Sequence, residues 1–128
     1  MELRKIVYVE DEPDIQVIAK LALETLGGFE VTICSSGPEA LKAIPSLKPD
    51  MVLLDVMMPQ MDGPTTLQEI RKIESCARIP VAFMTAKVQS AEISEFLEIG
   101  AIGVISKPFD PMTLAQQVRD LWEAKVNG

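Results

Sequence analysis

The size, composition and charge of the chain narrow what it can be. Its 128 residues are 48% apolar and 24% charged, which fits one globular domain and excludes a disordered chain. Twelve Lys and Arg against 19 Asp and Glu give a net charge of −7, which opposes binding to a nucleic acid backbone. The apolar runs are too short to span a membrane, and no leader opens the chain. We expect one soluble, cytoplasmic domain over residues 1–128.

Two residue types limit the chemistry further. The sequence has no His, which excludes most zinc sites, imidazole general bases and His-dependent catalytic triads. Its two cysteines, Cys34 and Cys76, lack the spacing of a metal or redox motif. We predict that both are buried free thiols rather than a disulfide.

The first part of the chain alternates strand and helix patterns. Arg4–Val9 is a short β-rich run that ends in acids, and Pro13 then fits the first turn of a helix. Gly27 and Gly28 end that helix, and Glu30–Cys34 follows as a second strand. Apolar residues recur along this helix at helical spacing: Ile15, Ile18, Ala19, Ala22 and Leu26.

The middle of the chain contains the clearest strand. Ser36 and Glu39 form a capping box that opens a second helix, which Pro45 should end early. Met51–Leu54 is apolar on both faces, as expected of a central strand in a parallel sheet covered by helices. This third strand ends abruptly at Asp55.

The last part continues the alternation. Pro64 opens a helix, Pro80–Met84 is a fourth strand and Ile102–Ile105 a fifth. Between the last two strands, Ala91–Ile99 is a helix that ends at Gly100. Its predicted inward residues are Ile93, Phe96 and Leu97.

The final helix completes the fold class. Asp110 caps it and Pro111 starts it, and its apolar face comprises Leu114, Val118, Leu121 and Trp122. Five strands, each followed by a helix, predict an α/β fold with an open, doubly wound parallel sheet, since a barrel needs eight such units. In such sheets, ligands bind beyond the carboxyl ends of the strands.

Polar residues stand at those carboxyl ends. Glu10 and Asp11 follow the first strand and Asp55 ends the third. Thr85 follows the fourth strand, and Lys107 follows the fifth. Three neighbouring carboxylates repel one another unless a cation joins them, and oxygen ligands without His or thiolate suit Mg²⁺ or Mn²⁺. With one lysine and one divalent cation, the cluster is electrically neutral, so we predict a magnesium site here.

This cluster also offers a nucleophile. A carboxylate that attacks a phosphoryl group forms an acyl phosphate, while a cation and a lysine take up the charge on the phosphoryl oxygens. Asp55, alone at the end of the central strand, is the predicted nucleophile, and Glu10 and Asp11 are the predicted metal holders. The hydroxyl of Thr85 can donate one hydrogen bond to the new phosphate.

Four short segments follow one another along the chain: VEDEP at 9–13, LLDVMMPQMDG at 53–63, MTA at 84–86 and ISKPF at 105–109. Together, in this order and spacing, they resemble the receiver domain of two-component response regulators, including the chemotaxis regulators. The resemblance covers nearly the whole chain. It implies a flavodoxin-like (βα)5 fold with strand order 2-1-3-4-5 and a phosphoacceptor signalling function rather than an enzyme with a separate substrate.

The resemblance also implies a role for each matching position. Asp55 matches the phosphoacceptor, Asp11 the direct metal ligand and Glu10 the acid that reaches the metal through water. Met57 matches the position whose backbone carbonyl completes the metal shell. Thr85 matches the hydroxyl that turns towards the phosphoryl group as a switch.

Four further positions carry expectations. Lys107 matches the lysine that pairs with the phosphoryl group, and the bond from Lys107 to Pro108 is expected to be cis. Val104 stands where many members have a switching aromatic residue, so the resemblance predicts an altered switch. Lys87, with Met57, occupies a position that tunes dephosphorylation, and we expect Met57 to hinder the attacking water.

The family's partners are expectations as well. The resemblance implies a phosphohistidine donor on a histidine kinase or phosphotransfer protein, with Gln16, Lys20 and Asp110 as candidate recognition residues. It implies an effector protein that reads a change on the face formed by helix 4, strand 5 and helix 5. It also allows a weak or phosphorylation-dependent homodimer through that face.

Three alternatives differ in their sequence requirements. A flavin-binding module needs a small-residue loop after strand one, where this chain has EDEPD at 10–14. An aspartyl phosphohydrolase needs a second acid two residues after its nucleophile, where this chain has Met57. A degenerate receiver used only for docking would not need the intact acidic cluster.

Overall fold

The computed structural model describes residues 2–128 and contains one parallel sheet. Its strands are β1 Lys5–Val9, β2 Glu30–Cys34, β3 Met51–Asp55, β4 Val81–Thr85 and β5 Gly103–Ser106. Its helices are α1 Pro13–Thr25, α2 Gly37–Leu47, α3 Gly63–Lys72, α4 Ser90–Glu98 and α5 Leu114–Asn127. The strand order is β2-β1-β3-β4-β5, and every pairing is parallel. The predicted doubly wound, flavodoxin-like α/β fold is confirmed.

The sheet separates two apolar cores. Neighbouring residues of a strand point to opposite faces, so Tyr8 and Leu53 pack with α1 and α5, while Leu54 and Phe83 pack with α2, α3 and α4. All five residues of β3 are buried, as its apolar pattern predicts for a strand covered on both faces. The two layers of helices therefore cover both faces of the sheet and leave the ends of its strands accessible.

Helix α2 runs further than predicted. Pro45 lies inside α2, which continues to Leu47, so the predicted early end is wrong. Proline lacks the N–H that would bond to the carbonyl four residues earlier, but only two helical residues follow it. Lys48 then closes the helix in the left-handed conformation, and its N–H donates to the carbonyl of Ile44 at 2.9 Å. One missing hydrogen bond so near the C-terminus does not stop the helix.

Helix α5 starts later than predicted. Asp110 was expected to cap it at Pro111, but the helix begins at Leu114 after Thr113. Asp110 instead closes a preceding turn, because its Oδ1 accepts the N–H of Met112 at 2.9 Å. Its backbone carbonyl accepts the N–H groups of Thr113 and Leu114 at 3.0 Å. The polar residue and the proline mark a turn here rather than the first helical turn.

Two helices present different faces than expected. In α4, Phe96 is buried but Leu97 is 47% exposed, so the predicted inward position of Leu97 is wrong. In α1, Leu23 is buried and Ile18 is exposed, and Leu26, directly after the helix, is exposed as well. A short helix on the outside of a sheet buries only a narrow stripe of its side chains. Additional apolar residues outside that stripe make the buried face hard to identify from the sequence.

Three smaller points complete the fold. Strands β1, β4 and β5 each begin one residue later than expected. Cys34 and Cys76 are buried free thiols, as predicted. Within residues 2–128, no helix is long and apolar enough to cross a membrane.

Candidate functional site

Three acidic side chains meet at the carboxyl edge of the sheet. Each of Glu10, Asp11 and Asp55 places one carboxylate oxygen within 4.8 Å of the others. Lys107 joins them, with its Nζ 2.8 Å from Glu10 Oε1 and 3.2 Å from Asp55 Oδ2. Glu10 is 0% exposed and Asp55 3% exposed, while Asp11 is half-buried. The cluster is thus two buried acids bridged by a lysine, with a third acid open to solvent.

The strand register brings these groups together. β1 and β3 are neighbours with Val9 opposite Leu54, so the next residues, Glu10 and Asp55, emerge side by side. Lys107 arrives from the loop after β5, where its N–H donates to the carbonyl of Thr85 at 2.9 Å. The bond between Lys107 and Pro108 is cis, as expected.

Burial and ion pairing shift the pKa values of the cluster in opposite directions. Burial raises the pKa of Asp55, although the Lys107 charge and hydrogen bond oppose the shift. Burial likewise raises the pKa of Glu10, again opposed by its hydrogen bond to Lys107. Burial by itself would lower the pKa of Lys107, but its hydrogen bond to Glu10 and the nearby acids raise it overall. Two acids for one lysine leave the cluster short of positive charge.

The residues present suit a hard divalent cation. The donors are carboxylate oxygens, and the chain has no His to compete. A cation there would add the positive charge that the buried acids lack. Glu10, Asp11 and Asp55 are the groups that would hold it.

The backbone around Asp55 depends on a close approach of α3. Val56 donates its N–H to the Met84 carbonyl at 3.1 Å and accepts the N–H of Gly63 at 2.9 Å. A Cβ on Gly63 would lie 2.6 Å from the carbonyl oxygen of Asp55, so only glycine fits this approach. Asp62 caps α3 through the N–H of Thr65 at 2.9 Å. This contact was not predicted from the sequence, where its only signal is a glycine directly before Pro64.

Thr85 is buried beside the cluster and is bound locally. Its Oγ1 accepts the N–H of Lys87 at 3.0 Å. The Lys87 side chain is exposed, and Met57 is 69% exposed. Val104 is half-buried against the core formed with α2, α3 and α4. The structure brings Thr85 to the edge of the site and leaves Met57 and Lys87 on its rim.

The predicted recognition residues differ in their surroundings. Lys20 and Asp110 are exposed. Gln16 is half-buried, and its Nε2 lies 2.6 Å from the carbonyl oxygen of Glu10 and 3.2 Å from Ser35 Oγ. Both amide donors of Gln16 thus have acceptors within the protein.

Known proteins resemble this chain in sequence. A family model, the response regulator receiver domain, matches residues 6–119. A probable transcriptional regulator ycf27 of Guillardia theta is 39% identical over 115 residues, covering 90% of this chain and 44% of the relative. The DNA-binding response regulator MtrA of Mycolicibacterium smegmatis is 33% identical over 91% of this chain and 49% of its own. The chain therefore spans about half the length of the curated relatives it matches.

Solved structures agree with this match. The chemotaxis response regulator CheY4 of Vibrio cholerae superimposes with a TM-score of 0.86 at 27% identity, covering 94% of this chain and 99% of its own. The Francisella response regulator 1452 receiver domain gives 0.84 at 28% identity, covering 95% and 98%. With the fold, the motifs and the family model in agreement, the chain belongs to the response regulator receiver domain family of two-component signalling proteins.

Proposed function

We propose that this domain carries a signal by accepting a phosphoryl group on Asp55. The donor is a phosphohistidine of a histidine kinase or phosphotransfer protein, which fits a chain that has no His of its own. The carboxylate oxygen of Asp55 bonds to phosphorus, the N–P bond breaks, and the imidazole that leaves takes up a proton. The observation that carries the proposal is the buried Asp55 carboxylate 3.2 Å from Lys107 Nζ.

The neighbouring groups support this chemistry electrostatically. Asp55 is held at the end of a central strand, so its attack needs little reorganisation. Lys107 is in position to pair with the incoming phosphoryl oxygens. A Mg²⁺ ion bound by Asp11, Asp55 and the Met57 carbonyl, and reached by Glu10 through water, would neutralise negative charge on the acids and the phosphoryl group. Asp11, which is half-buried, is the acid most accessible to an arriving cation, because Glu10 and Asp55 are buried.

Phosphorylation would then change the contacts of Thr85 and Lys107. The Thr85 hydroxyl accepts from Lys87 N–H in this structure and retains its own proton to donate to a phosphoryl oxygen. Because Thr85 ends β4 and Lys107 follows β5, their movement reaches the face of α4, β5 and α5. Val104 offers no aromatic rotamer on this face, so the change must travel through the backbone and smaller side chains.

An effector protein is the proposed reader of that face. Leu97 is exposed on α4, and Ile102 and Leu121 are half-buried nearby. The domain acts on its own aspartyl group and needs no separate substrate. A weak homodimer that forms on phosphorylation would use the same surface.

The test is intact-mass spectrometry after incubation with acetyl phosphate, with Mg²⁺ or with EDTA. We expect one phosphoryl adduct on the wild type with Mg²⁺ and none with EDTA. Asp55→Asn should abolish the adduct, while Asp120→Asn, at an exposed position on α5, should leave it unchanged. A protein that forms no adduct with acetyl phosphate or with a phosphohistidine donor would be a docking domain instead.

A further inference from the structure

The loop between β1 and α1 carries Glu10 and Asp11. Helix α1, which follows this loop, has Glu12 at its N-cap, and no side chain caps the helix. Ser36 caps α2 and Asp62 caps α3 through side-chain oxygens, whereas α4 and α5, like α1, start without a side-chain cap. An acid that capped α1 would be committed to backbone N–H groups. Neither Glu10 nor Asp11 caps α1, and the Glu10 carboxylate accepts the N–H of Glu12 through Oε2 at 3.2 Å and the Lys107 ammonium through Oε1 at 2.8 Å.

The side chain of Gln16, within α1, binds the backbone of this loop. Its Nε2 donates to the Glu10 carbonyl oxygen at 2.6 Å and lies 3.2 Å from Ser35 Oγ. The N–H of Glu10 donates to the Cys34 carbonyl at 2.9 Å. The backbone of Glu10 is therefore bonded on one side to the end of β2 and on the other to α1. Since Asp11 is attached to that carbonyl carbon, the same contacts set the direction of its peptide.

The second partner of Gln16 is itself fixed. Ser35 donates its N–H to the Glu39 carboxylate, and the Ser36 hydroxyl accepts the N–H of Glu39. This reciprocal cap holds the start of α2. Gln16 thus joins the acidic loop to a rigid point on the neighbouring loop. A neutral amide does this without adding charge to a site that already has excess acid.

We infer that Gln16 is a positioning residue for cation binding: it fixes the peptide between Glu10 and Asp11 so that the Asp11 carboxylate faces Asp55 before a cation arrives. The inference rests on the proposed function. Groups behind metal ligands commonly change metal affinity by about 10- to 100-fold when removed. Gln16 is a member of that class here, rather than a residue that contacts a partner protein.

The test measures Mg²⁺ affinity and stability separately. Gln16→Met keeps the length of the side chain and removes both donors, and Gln16→Leu removes them with a shorter apolar side chain, so neither variant changes the charge beside the cation site. We expect the Mg²⁺ dissociation constant, measured by isothermal titration calorimetry, to rise about tenfold in both. Gln68→Met, at an exposed position on α3, is the matched control and should bind like the wild type.

Urea unfolding in EDTA completes the test. A purely structural role of Gln16 would lower the unfolding midpoint of the variants but leave their Mg²⁺ dissociation constants within twofold of the wild type. That outcome overturns the inference. If neither variant folds, the side-chain amide signals of Gln16 in the wild type are followed by NMR. Slow hydrogen exchange of those protons in the metal-free protein supports the inference, and exchange as fast as that of Gln68 overturns it. A wild type that binds no Mg²⁺ contradicts the proposed function itself.

Discussion

Asp55 lies in a buried position, where burying an ionised carboxylate costs free energy and leaves the group reactive. An ionised acid at 3% exposure loses its hydration, and a single lysine contacts both Asp55 and Glu10. Burial raises the pKa of both acids, and Lys107 opposes this shift without cancelling it. Such a cluster is weak support for folding, so its presence is better explained by what it binds.

Tyr8 carries the one buried side-chain oxygen or nitrogen without a hydrogen-bond partner in residues 2–128. Removing a buried hydroxyl that has no partner relieves its desolvation cost. We expect Tyr8→Phe to raise the free energy of unfolding by about 1 kcal/mol, measured by urea denaturation. Tyr8→Leu, which also removes ring packing, should lower it. A less stable Tyr8→Phe protein would mean that the hydroxyl has a bound water as its partner.

Met57 lies on the rim of the site, 69% exposed and two residues after Asp55. We expect an apolar side chain there to hinder the water that would hydrolyse an acyl phosphate on Asp55, whereas an amide can orient that water. Met57→Asn should therefore shorten the lifetime of the phosphorylated protein severalfold. The decay of the phosphoryl mass after removal of the donor measures it. An unchanged decay rate would show that Met57 does not control access of water.

For single residues, the sequence predicted which site residues meet, but not which contacts hold their backbones in place. Glu10, Asp55 and Lys107 could be placed together because parallel strands end at one edge. The contact of Gln16 with Glu10 could not be predicted, since the acceptor is a backbone carbonyl that no side-chain pattern reveals. Gly63 was missed for the same reason.

Among the elements, α3 starts directly against the end of β3, at Asp55. A Cβ on Gly63 would meet the Asp55 carbonyl oxygen at 2.6 Å and the Val56 Cα at 2.9 Å, both backbone atoms that cannot rotate away. We expect Gly63→Ala to lower the free energy of unfolding by about 1–3 kcal/mol and to slow phosphorylation by acetyl phosphate. Denaturation and the rate of adduct formation measure the two effects.

Gly100→Ala separates these two effects. Gly100 has a φ of 109° and open space around its Cα, so alanine there strains the backbone without approaching Asp55. It should lower stability but leave the phosphorylation rate unchanged. If Gly63→Ala also left that rate unchanged, the contact of α3 with Asp55 would matter for packing alone.

The elements themselves were easier to predict than their ends and faces. Strand β3 was evident because a strand covered on both sides is apolar throughout. The start of α5 was not, because Asp110 and Pro111 suit a turn as well as a helix start. In α4, Phe96 and Leu97 are adjacent and equally apolar, and only the sheet decides which one is buried.

At the scale of the whole molecule, the acidic cluster links stability to pH and to metal. For Asp55 and Glu10 the folded pKa is raised by burial, so the folded state binds more protons than the unfolded state above the ordinary carboxyl range. Their contribution is fully present below about pH 4 and is lost as pH rises through the raised values. Lys107, whose pKa is also raised, stays charged throughout this window. We expect the metal-free protein to lose stability from about pH 4 towards neutrality.

Mg²⁺ should reverse this trend, because a cation binds the ionised acids and only the folded state assembles them. At a Mg²⁺ concentration about 100 times its dissociation constant, the gain is about 2.7 kcal/mol, and it should shrink at acid pH. Urea unfolding between pH 4 and 8, with Mg²⁺ or EDTA, measures both curves. The general repulsion of a chain with charge −7 also acts over this range, so Asp55→Asn is compared with Asp120→Asn, which removes the same charge at the surface. Only Asp55→Asn should flatten the EDTA curve and abolish most of the Mg²⁺ gain; equal behaviour of the two variants would place the pH dependence in net charge rather than in the site.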